Sequence, residues 1–140
     1  MQLEVGVRYM LRPAIFTNVT IVIVEDHPDI RFHVAEFLSR QGAKVIAAPN
    51  AFEGLQAVSG NRPNIVLLDI KLPDRDGFEL LQDIRALGPD NGGDVPVIAM
   101  TAFGRTADRN RTVAADFQAH LVKPFVPKKL LYAIESVLKD

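Results

Sequence analysis

Five polar residues of this 140-residue chain stand at the ends of short apolar runs. Glu25 and Asp26 follow one run, Asp69 ends a second, Thr101 ends a third and Lys123 follows a fourth. Each alone reads as a strand terminator or a helix cap. Three acids, a hydroxyl and an ammonium delivered to one place read as a reactive site. Two carboxylates about 4 Å apart repel by about 4 kcal/mol at an effective dielectric near 20, so three converging acids need a counter-charge at neutral pH. Lys123 is one candidate. A hard divalent ion is the other, and oxygen donors without Cys or a His cluster favour Mg²⁺ over Zn²⁺. Mg²⁺ takes few protein ligands and leaves positions for the oxygens of a phosphoryl group.

A set of this kind requires strands that end on one edge. From residue 19 the chain alternates short apolar runs with segments of helical spacing, the pattern of strands joined by crossover helices in a parallel sheet. The runs are 19–24, 44–48, 64–68, 95–100 and 119–122. They are rich in Val and Ile and lack the alternation of a half-exposed strand. Pro96 belongs near a strand start, where a missing donor is tolerated. Pro28 suits a first helical position, with Ile30, Val34, Phe37 and Leu38 as the buried stripe and Gly42 as the stop. Asn50 caps a second helix ending near Gly60, residues 78–87 form a third, and Thr106 caps a fourth. The last helix spans 127–139 and buries Leu130, Leu131, Ile134, Val137 and Leu138. Right-handed crossovers then predict an α/β, flavodoxin-like (βα)5 doubly wound parallel sheet in the order 2-1-3-4-5, with its ligand site beyond the carboxyl ends of the strands. Residues 88–94 read as a flexible surface connection. Residues 1–18 do not fit the rhythm and form an N-terminal extension before a domain at 19–139.

Composition narrows the function. Lys plus Arg number 16 against 17 Asp plus Glu, a net charge of −1, so no basic footprint for direct nucleic-acid or membrane binding is expected. The absence of Cys removes thiolate chemistry and fits a reducing, cytoplasmic setting. No run approaches the length of a membrane span, and Arg8, Arg12 and Pro13 interrupt any signal-peptide core.

The motifs I-V-I-V-E-D at 21–26, D-I-K-L-P-D-R-D-G at 69–77, I-A-M-T-A at 98–102 and H-L-V-K-P-F at 120–125 resemble, in order and spacing, those of the CheY-like receiver domains of bacterial response regulators in two-component signal transduction. The resemblance covers roughly residues 19–139. It implies that Asp69 is the nucleophile accepting a phosphoryl group from a phosphohistidine on a histidine kinase or histidine phosphotransfer protein. It implies that Asp26, Asp69 and the backbone carbonyl of Lys71 bind Mg²⁺, with Glu25 acting mainly through water on the metal. Thr101 and Lys123 would each hold a phosphoryl oxygen, and Thr101 with His120 would form the switch. A receiver of this kind is not an enzyme beyond catalysing its own phosphorylation and dephosphorylation. It would signal to a downstream protein, or pair with a second copy, through its fourth helix, fifth strand and fifth helix.

Other residues carry lesser expectations. Lys123 before Pro124 suggests a fixed, cis peptide bond that aims the ammonium. His27 and His33 read as helix-start and helix-surface residues. Arg105, Arg109 and Arg111 read as a solvated helix face, with a partner surface shared with Lys128 and Lys129 as the alternative. Asp116 stands where receivers usually have Gly and can accept a left-handed conformation. Lys71 and Phe103 occupy positions that influence phosphoryl loss in the family, and F-Q-A-H-L-V-K-P-F resembles receivers of hybrid histidine kinases. Two competing functions are a phosphorylation-independent interaction module and a haloacid-dehalogenase-type phosphatase. The latter would want an Asp where the chain has Lys71.

Overall fold

Strand order is set by which apolar runs can be buried on both faces. In the computed structural model, which describes residues 14–102, 110–111 and 115–139, five runs pair as one sheet. The strands are β1 (Thr20–Val24), β2 (Lys44–Ala48), β3 (Ile65–Asp69), β4 (Val97–Thr101) and β5 (Ala119–Val122). They lie in the order β2-β1-β3-β4-β5, and every pair is parallel. Between them run α1 (Pro28–Arg40), α2 (Ala51–Asn61) and α3 (Gly77–Arg85), and a C-terminal helix (Pro127–Leu138) follows β5. The expected doubly wound topology is the one observed. Of the expected fourth helix, only residues 110 and 111 are described; its cap Thr106, together with Phe103, Arg105 and Arg109, lies outside the described residues.

Alternate residues of the buried strands feed two cores, as the two-residue period of a strand requires. Val22, Val24, Val66, Leu68, Val97 and Ala99 pack with α2 and α3, through Val58, Leu80 and Ile84. Ile21, Ile23, Ile65, Leu67, Ile98 and Met100 pack with α1 and the C-terminal helix, through Leu38, Leu130 and Ile134. The helices start where polar side chains satisfy their first amides. Asn50 accepts from the Glu53 N–H at 2.8 Å, and Asp76 and Glu79 close a reciprocal capping box at the start of α3.

Three segments depart from the sequence-level picture or extend it. Residues 88–94 contain a 3-10 turn (Pro89–Asn91), and Arg85 donates to the Gly93 and Val95 carbonyls at 3.0 and 2.6 Å. The segment is therefore tied to α3 and is not the plain flexible connection expected. Asp116 adopts the left-handed conformation expected of it, φ 70°, and accepts from Arg85 Nε at 3.1 Å. Within the extension, the Phe16 amide donates to the Gln41 carbonyl at 2.8 Å, and the Phe16 ring is buried among the second core. Gly42 makes this docking possible: its φ is +96°, and an added Cβ would stand 2.6 Å from the Ala14 Cβ. Among the described residues no helix is long and apolar enough to cross a membrane.

Truncating a fully buried Phe costs about 3–5 kcal/mol. Phe16→Ala is expected to fall near the lower end, because its segment can partly collapse onto the sheet. Urea unfolding of the full chain measures this, and a loss below about 1 kcal/mol would show that Phe16 is not a core residue.

Candidate functional site

The parallel register fixes which strand ends meet. β1 and β3 are neighbours, with Val24 opposite Leu68, so Glu25 and Asp26 emerge beside Asp69. β4 and β5 follow, with Thr101 opposite Val122, which brings Thr101 and Lys123 to the same edge. One carboxylate oxygen each from Glu25, Asp26 and Asp69 lies within 4.8 Å of the other two. Thr101, Lys71 and Lys123 share with them an open pocket of about 740 Å³. The five polar residues singled out by spacing are thus gathered in one place.

Their environments differ. Glu25, at 1% exposure, is buried, as are Asp69 and Thr101, while Asp26 faces solvent. Glu25 accepts the His27 N–H at 3.1 Å and the Lys123 ammonium; Asp69 accepts the same ammonium at 3.1 Å and the Lys71 N–H at 3.2 Å. Burial pulls the Lys123 ammonium toward deprotonation. The hydrogen bond to Glu25 and the charges of Asp69 and Glu25 outweigh that pull and hold the group above its ordinary value. The Lys123–Pro124 bond is cis.

These donors fit a small hard cation. All are oxygens, one member is solvent-accessible, and Lys123 offsets at most one of the three negative charges. The Lys71 carbonyl belongs to the residue whose amide already holds Asp69.

Sequence spacing did not identify several side chains that build the site. Arg31, in the first turns of α1, donates from Nη1 to the Glu25 and Asp26 carbonyls at 2.9 and 3.1 Å, fixing the turn that carries both acids. Asp74, in the loop after β3, accepts the Ala51 and Phe52 amides at 2.9 and 3.0 Å and ties that loop to α2. Burial works to raise the Asp74 carboxyl; the hydrogen bonds from Ala51, Phe52, its own amide and Arg75 prevail and lower it. Gly77 lets α3 begin against the strand end, since an added Cβ would meet the Asp69 carbonyl oxygen at 2.8 Å and Ile70 Cα at 2.8 Å.

The remaining expected residues are placed as follows. His120 lies on β5 opposite Ala99 and lines a groove beside the C-terminal helix with Lys128, Lys129 and Tyr132. His27 caps α1, its Nδ1 accepting the Ile30 amide at 3.4 Å, and His33 is exposed on the same helix. Arg111 is not simply a residue of a solvated face. Its guanidinium carbon sits 3.8 Å from the centroid of the Phe78 ring, and the side chain lines the acidic pocket.

Comparison with known proteins agrees with this geometry. Residues 21–135 match the family model of the response regulator receiver domain, and the chain belongs to that family. It is 36% identical over 116 residues to an uncharacterized 14.6 kDa protein of Leptolyngbya boryana, covering 83% of this chain and 87% of that one. It is also 36% identical over 123 residues to the "Probable transcriptional regulator ycf27" of Guillardia theta, covering 88% of this chain and 46% of the relative. The chain thus spans less than half the length of that regulator. Among solved structures, a CheY-like receiver domain from Methanospirillum hungatei superposes with a TM-score of 0.77 at 31% identity, over 86% of this chain and 94% of that one. The receiver domain of the sensor histidine kinase PA1611 of Pseudomonas aeruginosa, with a magnesium ion coordinated in its active-site cleft, gives 0.78 at 28% identity over 87% and 98%.

Two stability measurements follow. Removing one partner of a buried ion pair costs about 3–5 kcal/mol; Lys123 is partly exposed, so Lys123→Met in EDTA is expected to lose about 2 kcal/mol, with much of it restored in Glu25→Gln/Lys123→Met. No restoration in the double variant would mean that the two side chains are not coupled. Because the folded-state pKa of Asp74 is depressed, its carboxylate stabilises the fold above the unfolded pKa, and that contribution disappears as pH falls through the folded value. Loss of a side chain that caps helix amides costs about 1 kcal/mol, so Asp74→Ala should destabilise by about that much at pH 7, with the difference from the parent shrinking below about pH 4. A difference independent of pH would contradict this.

Proposed function

We propose that Asp69 accepts a phosphoryl group from a phosphohistidine on a kinase or histidine phosphotransfer protein, with Mg²⁺, and that the modified chain binds a downstream protein differently. The observation that carries this reading is the convergence of three carboxylates within 4.8 Å beside Lys123 at the carboxyl edge of the sheet. Asp26, Asp69 and the Lys71 carbonyl would hold the cation, with Glu25 behind them. Bound there, Mg²⁺ supplies positive charge for the equatorial oxygens of the transferring group and lowers the repulsion among the acids.

The chain's own groups do the rest. The Lys71 amide and the Lys123 ammonium fix the Asp69 carboxylate, so that one oxygen can attack phosphorus in line with the leaving imidazole nitrogen. The O–P bond forms as the N–P bond breaks with its electron pair going to nitrogen, and the imidazole takes up a proton from water. Lys123 is then within reach of a phosphoryl oxygen, and the Thr101 hydroxyl donates to another. The product is an acyl phosphate, labile to water, so the signal is transient by its chemistry. Movement of Thr101 toward the phosphoryl group would let His120 turn inward from its groove. The α-helix and β5 surface beside that groove would then differ between the two states, for a protein partner or a second copy. A shift from mostly inactive to mostly active needs a few kcal/mol, within the range of two or three charge-assisted contacts. A cytoplasmic donor and target, in a stand-alone receiver or within a hybrid kinase or regulator, complete the proposal.

The test is intact-mass analysis after incubation with acetyl phosphate. One phosphoryl group should be added in Mg²⁺, none in EDTA, and none in Asp69→Asn with either. Persistent labelling of Asp69→Asn, or a parent chain that stays unmodified in Mg²⁺, would overturn the assignment. Partner affinity unchanged by the modification would instead favour a phosphorylation-independent module.

A further inference from the structure

The acidic pocket holds a third cation besides Lys71 and Lys123. Arg111 lines it together with Glu25, Asp69 and Thr101. Its guanidinium lies on the Phe78 ring, 3.8 Å from carbon to centroid, and Phe78 is braced edge-on by Phe117, with ring centroids 5.7 Å apart at 77°. Stacking of this kind engages the face of the guanidinium and leaves its edge donors available, while restricting the side chain to one region. Among the described residues its acidic partner, Asp76, is only a loose one: the Asp76 Oδ2 is 4.0 Å from Arg111 Nη2, and its Oδ1 already accepts the Glu79 amide at 2.8 Å. The side chain remains 61% exposed, so its charge is presented to solvent at the pocket's mouth.

Four acids line the pocket against three bases; the Lys123 ammonium is committed to Glu25 and Asp69, whereas the Arg111 guanidinium is held on the Phe78 ring at the pocket's edge. Without it the mouth would offer a doubly charged phosphate ester or anhydride four acids against two bases. We propose that Arg111 is a specificity-determining residue that draws free dianionic phosphodonors into the pocket in preference to monoanionic ones. This rests on the phosphoacceptor reading of Asp69. In the step concerned, the Asp69 oxygen forms a bond to phosphorus while the phosphorus–oxygen bond to the acyl group breaks, and the carboxylate leaves with the electron pair. Arg111 touches the donor only, before and during that exchange. Because the guanidinium is exposed, the preference is modest and salt-sensitive.

The experiment compares initial rates of phosphorylation of the full chain in MgCl₂ by acetyl phosphate, a dianion at neutral pH, and phosphoramidate, which bears one net negative charge. Arg111→Gln should lower the acetyl phosphate rate about threefold at low salt while changing the phosphoramidate rate far less. Arg111→Lys should retain most of the acetyl phosphate rate, and added NaCl should erase the difference between parent and Arg111→Gln. A purely structural role would slow both donors alike, and that result, or equal rates with both donors in Arg111→Gln and parent, would overturn the inference while leaving the phosphoacceptor reading intact. A parent chain labelled by neither donor would overturn both.

Discussion

Mutual repulsion among three carboxylates governs the carboxyl edge of this sheet. Glu25 is almost wholly buried, Asp69 nearly so, and Asp26 is adjacent in sequence to the first of them. Charge of that density persists only where positive charge and hydrogen-bond donors answer it. Lys123 bridges Glu25 and Asp69, backbone amides of His27 and Lys71 hold one oxygen on each, and Arg31 secures the carbonyls of the turn between β1 and α1. What remains uncompensated is negative charge, the property that fits this edge to a small hard cation.

The fold exists in service of that convergence. Glu25 and Lys123 are 98 residues apart, and the parallel sheet in the order β2-β1-β3-β4-β5 brings their strand ends to one edge. Two cores, one on each face of the sheet, hold the strands at fixed spacing, so the acids are positioned by apolar packing and not by their own preferences. At the close contacts the residue types follow from space. Gly77 admits α3 against the Asp69 carbonyl, and Asp74 reaches across to the first amides of α2, so the loop after β3 is clamped on both sides.

Much of this was legible in the amino-acid sequence because it is periodic or local. Five apolar runs, the cap at Asn50, the first helical position at Pro28, and the polar strand ends all declare themselves within a few residues. Boundaries slipped where pairing overrode composition. The third strand begins at Ile65, one residue into its run, and the fourth begins at Val97, after Val95 has turned back to bond Gly92. The start of α3 was placed at Phe78, since the Asp76 cap sits in a run of turn residues that hides it. Phe16 carried no signal because a lone aromatic has no period. Asp74 and the Arg111–Phe78 stack were invisible for a different reason: each acts across a tertiary contact, where spacing along the chain says nothing about distance in space; Arg31 is local but bonds backbone carbonyls, which no side-chain pattern marks.

The three acids matter most if they act together as a cation site. Titration of MgCl₂ into isotopically labelled chain, followed by backbone amide shifts, tests this without requiring any donor or partner. Saturable shifts concentrated at Asp26, Asp69, Lys71 and the turn held by Arg31, abolished in Asp26→Asn, are the predicted result. Shifts that stay linear to high concentration, or that spread evenly over surface carboxylates, would contradict it.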